Sequence, residues 1–251
     1  MSYFIYFAGP FLLGLGGTAL LRQRARIFFI GLGTFFVAWL VNQTVASLAM
    51  RSFHIAERTL AFALIASAMA GLVEEAGRYF AIRQFDAFRQ NHNWRSSLAY
   101  ALGHHGMETV IVGLTIVLTW VAVTYKPGAL DAATLKHCQR LLSRPEAVKL
   151  YDAFERLSVG LVVHASFSAV VMLGFVRRQR RWLFLAMAWH FAHDMIGYNL
   201  HRIVPHPAAP KLWLAFILVA YTAVLLRLNR ELPASPSPAS PPFHEGRPGL
   251  G

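Results

Sequence analysis

The chain has 251 residues, of which 56% are hydrophobic and only 14% charged, with a mean hydropathy of +0.44. Soluble domains run to about 45–50% apolar and about 25% charged residues, so this composition indicates a polytopic membrane protein and excludes an ordinary soluble domain. The formal charge of +12 does not point to nucleic acid, because the basic residues cluster between apolar runs, and the single Cys138 excludes an intrachain disulfide or a site built on several thiolates.

A bilayer crossing needs about 20 mostly apolar residues. Seven runs meet that length: 3–21, 27–50, 59–82, 98–125, 156–176, 182–199 and 211–227. The expected fold is all-α, a transmembrane bundle of about seven spans over residues 1–230. No run of short alternating strands suggests a barrel. The first run lacks a basic segment ahead of it and a clear cleavage site, so a retained helix is expected. The first, second and seventh runs are plain apolar helices. Each of the middle four carries ionisable residues, which cost about 2.5–3.5 kcal/mol apiece at the centre of a membrane helix.

The third run contains GLVEEAGRYF, residues 71–80, with Glu74, Glu75 and Arg78. Residues three or four apart are neighbours on a helix, so either glutamate reaches Arg78 and one carboxylate is left over. The fourth contains GHHGMETV, residues 103–110. His104 and His105 stand four and three residues before Glu108, so either shares its face, while Gly103 and Gly106 permit close helix approach. Between the fourth and fifth runs, residues 126–155 hold Pro127, Pro145 and amphipathic stretches, expected as short surface helices.

The fifth run opens on Glu155 and Arg156, read as helix-end charges, and carries His164 beside the packing residues Ser166 and Ser168. The sixth contains WHFAHDMIGYN, where His190 and Asp194 lie one turn apart and His193 points elsewhere. A histidine and a carboxylate one turn apart recur in metal and acid–base sites. At about 1.5 Å per residue the four sets fall at similar depths. The expectation is one cavity opened to water from the cytoplasm. The Pro- and Ser-rich tail, 231–251, is expected to be disordered. Arginine clusters such as Arg22, Arg24 and Arg26, and Arg177, Arg178, Arg180 and Arg181, place the C-terminus in the cytoplasm and the N-terminus outside a plasma membrane.

EExxR (Glu74, Glu75, Arg78), HGxxE (His105, Gly106, Glu108), ER followed by a histidine (Glu155, Arg156, His164) and HxxxD (His190, Asp194) occur in this order on successive spans. Together they resemble the YhfC family of intramembrane metalloproteases. That family is related to type II CAAX prenyl proteases, to PrsW proteases and to the scaffold subunit of gamma-secretase. The resemblance implies an endopeptidase working inside the membrane on a membrane-embedded or membrane-associated protein, with the bilayer as its other partner. It makes Glu74 the general base, Glu75 and Arg78 its support, and His105, Glu108, His164, His190 and Asp194 site residues. Either a zinc or other divalent metal is held by His105, His164, His190 and Asp194, or Glu74 acts on water directly without a metal. The CAAX branch ends its last motif in Asn, where this chain has Asp194, so prenylated substrates are not implied. A non-catalytic scaffold of the same fold and an ion-coupled transporter are the alternatives. The complete glutamate pair favours an enzyme over the scaffold. The absence of an inverted repeat speaks against the transporter.

Overall fold

The computed structural model describes residues 25–55, 59–89, 91–206 and 208–233, with residues 9, 12, 16, 17 and 19. The span expected at 3–21 therefore falls almost wholly outside the described residues, as does the tail beyond residue 233. The described chain is helical, without a strand. Its helices are α1 (Ala25–Ser52), α2 (Leu60–Gln84), α3 (Asp86–Arg89), α4 (Trp94–Tyr125), α5 (Ala132–Leu142), α6 (Glu146–Val176), α7 (Arg181–Ile203) and α8 (Ala209–Glu231).

Five of these, α1, α2, α4, α6 and α8, are long and apolar enough to cross a membrane. At 23 residues, or about 35 Å, α7 is long enough too, but its His190, His193, Asp194 and Arg202 lower its hydropathy. It packs against α2 and α6 inside the bundle. These six match six of the seven expected runs, and the first run lies almost wholly outside the described residues.

Local chemistry sets the helix starts. Thr59 accepts from the Phe62 N–H at 3.1 Å, and Asn93 accepts from the Ser96 N–H at 3.0 Å. The Asn93 cap starts α4 four residues before the apolar run at 98. Pro145 stands at the N-cap of α6, so the amphipathic residues 146–155 extend that helix rather than forming a separate one. At 31 residues α6 is about 46 Å long, more than the roughly 30 Å hydrocarbon core, so its first turns project beyond it. Of the short surface helices expected in 126–155, the structure has α5 and one 3-10 turn, Pro127–Ala129.

Two glycines bring α1 and α4 into backbone contact. A Cβ at Gly103 would overlap the Phe28 carbonyl, and one at Gly31 the Tyr100 carbonyl. The main core lies at the arginine-rich end, where Ile27, Ile82, Phe88, Tyr100, Val171 and Leu173 are buried together. Residues 231–233, counted with the tail in the sequence, close onto this end. Glu231 pairs with Arg177 at 2.7 Å, Leu232 is buried, and the Pro233 carbonyl accepts from the Trp94 N–H at 3.2 Å.

Within α2, residues Ala70–Glu74 form a π-helical turn. Such turns occur frequently at functional sites. This one ends at the glutamate pair and sets Gly71 against α7, where a Cβ would stand 2.7 Å from the Met187 carbonyl oxygen.

Candidate active site and metal centre

The described ion pairs and hydrogen bonds of the bundle interior meet at one level. Glu74, Glu108, His164 and His190 lie nine to fourteen residues from the arginine-rich ends of their helices, hence about 14–21 Å deep.

The deepest part is Glu75 with Arg78, both fully buried. Arg78 Nη1 donates to Glu75 Oε1, so Glu75, not Glu74, takes the arginine. The same oxygen accepts from His190 Nδ1 at 2.8 Å. His190 Nε2 faces Asp194, whose Oδ2 is 3.7 Å away. Phe167 stacks on the His190 ring at 4.5 Å and 15°. The Arg78 guanidinium also lies 6.0 Å from the ring centres of Tyr100 and Phe167, within cation–π range.

Arg78 Nη2 sits 3.4 Å from His164 Nδ1. His164 Nε2 lies 3.0 Å from Glu108 Oε2. His105 Nδ1 lies 2.9 Å from the same carboxylate oxygen. The His105 Nε2–H donates to the main-chain carbonyl of Arg156 at 3.0 Å. Arg156 Nη1 donates to Glu108 Oε1 at 3.1 Å. On the opposite wall, Glu74 Oε2 faces His104 Nε2 at 3.2 Å, while His104 Nδ1 is buried without a partner. The His104 and His164 rings are 5.0 Å apart, and His164 and His190 6.2 Å apart.

The eight residues named from the sequence therefore converge, joined by two that sequence reasoning left out. The spacing of His104 shows it only as a neighbour of Glu108. Successive helix residues differ by about 100°, so an HH pair faces two neighbours, here α2 through His104 and α6 through His105. Arg156, read as a helix-end charge, instead pairs with Glu108 at the exposed side of the site, because α6 begins ten residues earlier and brings residue 156 to that level. His193 turns away and hydrogen-bonds the Tyr221 hydroxyl on α8 at 2.9 Å. Ser166 donates to the Val162 carbonyl, a packing role as expected.

Exposure runs in one direction. Glu75, Arg78 and His104 are sealed, whereas the side chains of Asp194, Glu108 and Arg156 are 24%, 27% and 40% exposed. The site thus opens toward the beginning of α6, away from the arginine clusters. The sequence reading placed the opening at the arginine-rich end, but there the apolar core closes the bundle.

Two groups of side chains have the spacing of a metal site: Glu74, His104 and His164, and His105, Glu108 and His164. Within each, the ligand atoms lie inside 4.8 Å of one another. Zinc takes nitrogen and oxygen ligands at about 2.0–2.2 Å, so its ligand atoms stand roughly 3–3.6 Å apart. The Glu74–His104, Glu108–His105 and Glu108–His164 contacts of 3.2, 2.9 and 3.0 Å are near that spacing. Donor chemistry agrees, since a ligating histidine usually gives its second N–H to a carbonyl or carboxylate, as His105 does. The residues fit a divalent metal. Of the four ligands expected from the sequence, His105 and His164 fall in these groups. His190 and Asp194 stand beside them, and Glu74, His104 and Glu108 join.

A family model described as YhfC intramembrane metalloprotease matches residues 10–208, which include every site residue named above. The chain belongs to the YhfC family. It is also similar to a protein of Bacillus subtilis (strain 168) named "Uncharacterized membrane protein YhfC", 26% identical over 241 residues, covering 88% of this chain and 92% of that one. No solved structure matches. Membership in the YhfC family and the apolar helices make this an integral membrane protein.

Proposed function

We propose that this protein hydrolyses a peptide bond of a membrane-embedded or membrane-associated protein, with Glu74 as general base and a divalent metal in the site. The supporting observation is the division of labour in the glutamate pair. Glu75 is tied to Arg78 and His190, which leaves Glu74 without a cationic side chain of its own and facing His104.

Glu74 is placed to take a proton from water and return it to the leaving amine. Glu75 and Arg78 neutralise each other and fix His190 with Nε2 turned to the open side. His164 is held at both nitrogens, by Arg78 and by Glu108, so its ring cannot turn freely. The sealed floor keeps bulk water away from these groups, which strengthens their electrostatic action on developing charge. A metal held by His105, Glu108 and His164, which leaves Glu74 free as the base, would supply Lewis-acid activation of the water and of the scissile carbonyl.

The deciding experiment is Glu74→Gln in the purified protein, assayed on a membrane-embedded reporter. Cleavage should fall by roughly 10²–10⁴-fold, the size of a general-base contribution, with elution and helix content unchanged. Cleavage at the wild-type rate would remove Glu74 from this role.

A further inference from the structure

Arg156 touches the site twice. Its guanidinium Nη1 donates to Glu108 Oε1 at 3.1 Å, and its carbonyl accepts from His105 Nε2 at 3.0 Å. Both contacts act on one point, because Glu108 Oε2 lies 2.9 Å from His105 Nδ1 and 3.0 Å from His164 Nε2. Gly160, one turn beyond Arg156, makes the second contact sterically feasible: a Cβ there would overlap the His105 ring. Glu108 is partly exposed and long enough to turn toward water. The guanidinium hydrogen bond on one of its oxygens aims the other into the site.

We propose that Arg156 is a positioning residue. It holds Glu108 by its side chain and His105 by its carbonyl, so that Glu108 Oε2 stays between the His105 and His164 rings. An exposed ion pair adds little to stability. The pair acts on orientation, and the fold stands without it. Lysine keeps the charge but not the planar fork, so it restores the orientation only in part. The kinetic arm of the test rests on the protease reading above, whereas the structural arm does not.

The test is the nitrogen-15 spectrum of the histidine rings in the full-length protein in detergent, recorded for wild type, Arg156→Ala and Arg156→Lys. The signals are assigned through single His→Asn replacements. Arg156→Ala should move the ring-nitrogen signals of His105 and His164 and leave that of His190, which Glu75 holds. Arg156→Lys should give a smaller displacement. Arg144→Ala is the control, since it removes an exposed ion pair of the same kind, to Asp152 at 2.7 Å, that does not touch the site. It should move none of the three signals. On the membrane reporter, Arg156→Ala should lower kcat about 10–100-fold with KM unchanged, the usual cost of losing an outer partner of a site ligand, and Arg156→Lys should recover part of it. Unmoved His105 and His164 signals in Arg156→Ala would overturn the proposal. So would equal effects of the alanine and lysine variants. A wild-type protein that leaves the reporter intact would sink the protease reading, while the ring signals would still decide the role of Arg156.

Discussion

Two neighbouring glutamates in α2 carry different physical burdens. Glu75 shares a dry interior with Arg78, and breaking a buried ion pair by removing one partner costs about 3–5 kcal/mol. Glu75→Gln should therefore lower the thermal midpoint of the purified protein strongly and reduce the yield of folded material. Glu74 has no cationic side chain bonded to it, so Glu74→Gln should leave the midpoint close to wild type. Thermal unfolding of the two variants in one detergent separates them, and equal midpoints would show that the pairing with Arg78 is not exclusive to Glu75. The sequence made this choice visible as a question, because i+3 and i+4 spacing allow both glutamates to reach Arg78. It could not answer it, because the side taken depends on where α7 delivers His190, 115 residues further on. Arg156 stands in the ER motif, but its contact with Glu108 was illegible for a related reason. Its role comes from α4 packing against α6, and its spacing within its own helix carries no trace of that.

At the scale of elements, the apolar runs located α1, α2, α4, α6, α7 and α8, and their edges moved where caps and prolines overrode hydropathy. Asn93 and Pro145 are the two cases. The π turn before the glutamate pair had no composition cue. Gly103 had one, and its use is specific: it meets the α1 backbone at Phe28. Gly103→Val should force the α1–α4 pair apart, at a cost of about 1–3 kcal/mol or more, and lower the thermal midpoint. The connection into α4 carries a different liability. His92 lies outside the spans, stacks on Phe175 at 5.1 Å, and has its pKa lowered by burial. The folded state thus favours the neutral ring. Stability is full above the unfolded pKa of about 6.5 and declines as pH falls below it, until the lower folded pKa is passed. Unfolding measured between pH 5 and 8 should show this decline, and His92→Gln should flatten it.

Over the whole molecule, two asymmetries point in opposite directions along the bundle axis. Arginines gather where α2, α6 and α8 end, the apolar core seals that end, and Glu108, Asp194 and Arg156 are exposed toward the other. From the positive-inside rule we propose that the arginine-rich end, with the C-terminus, faces the cytoplasm. The site then opens to the far side of the membrane, the side of the connection that holds α5. That connection provides its own probe, because Cys138 on α5 is the chain's one cysteine and is partly exposed. A membrane-impermeant maleimide added to intact cells should label Cys138 at the rate seen after lysis. Labelling that appears only after lysis would reverse the orientation and turn the opening of the site toward the cytoplasm. The same reagent on Cys138→Ser protein gives the background. A charged thiol reagent applied to a Cys138→Ser, Asp194→Cys protein reports independently whether water reaches the site from that side.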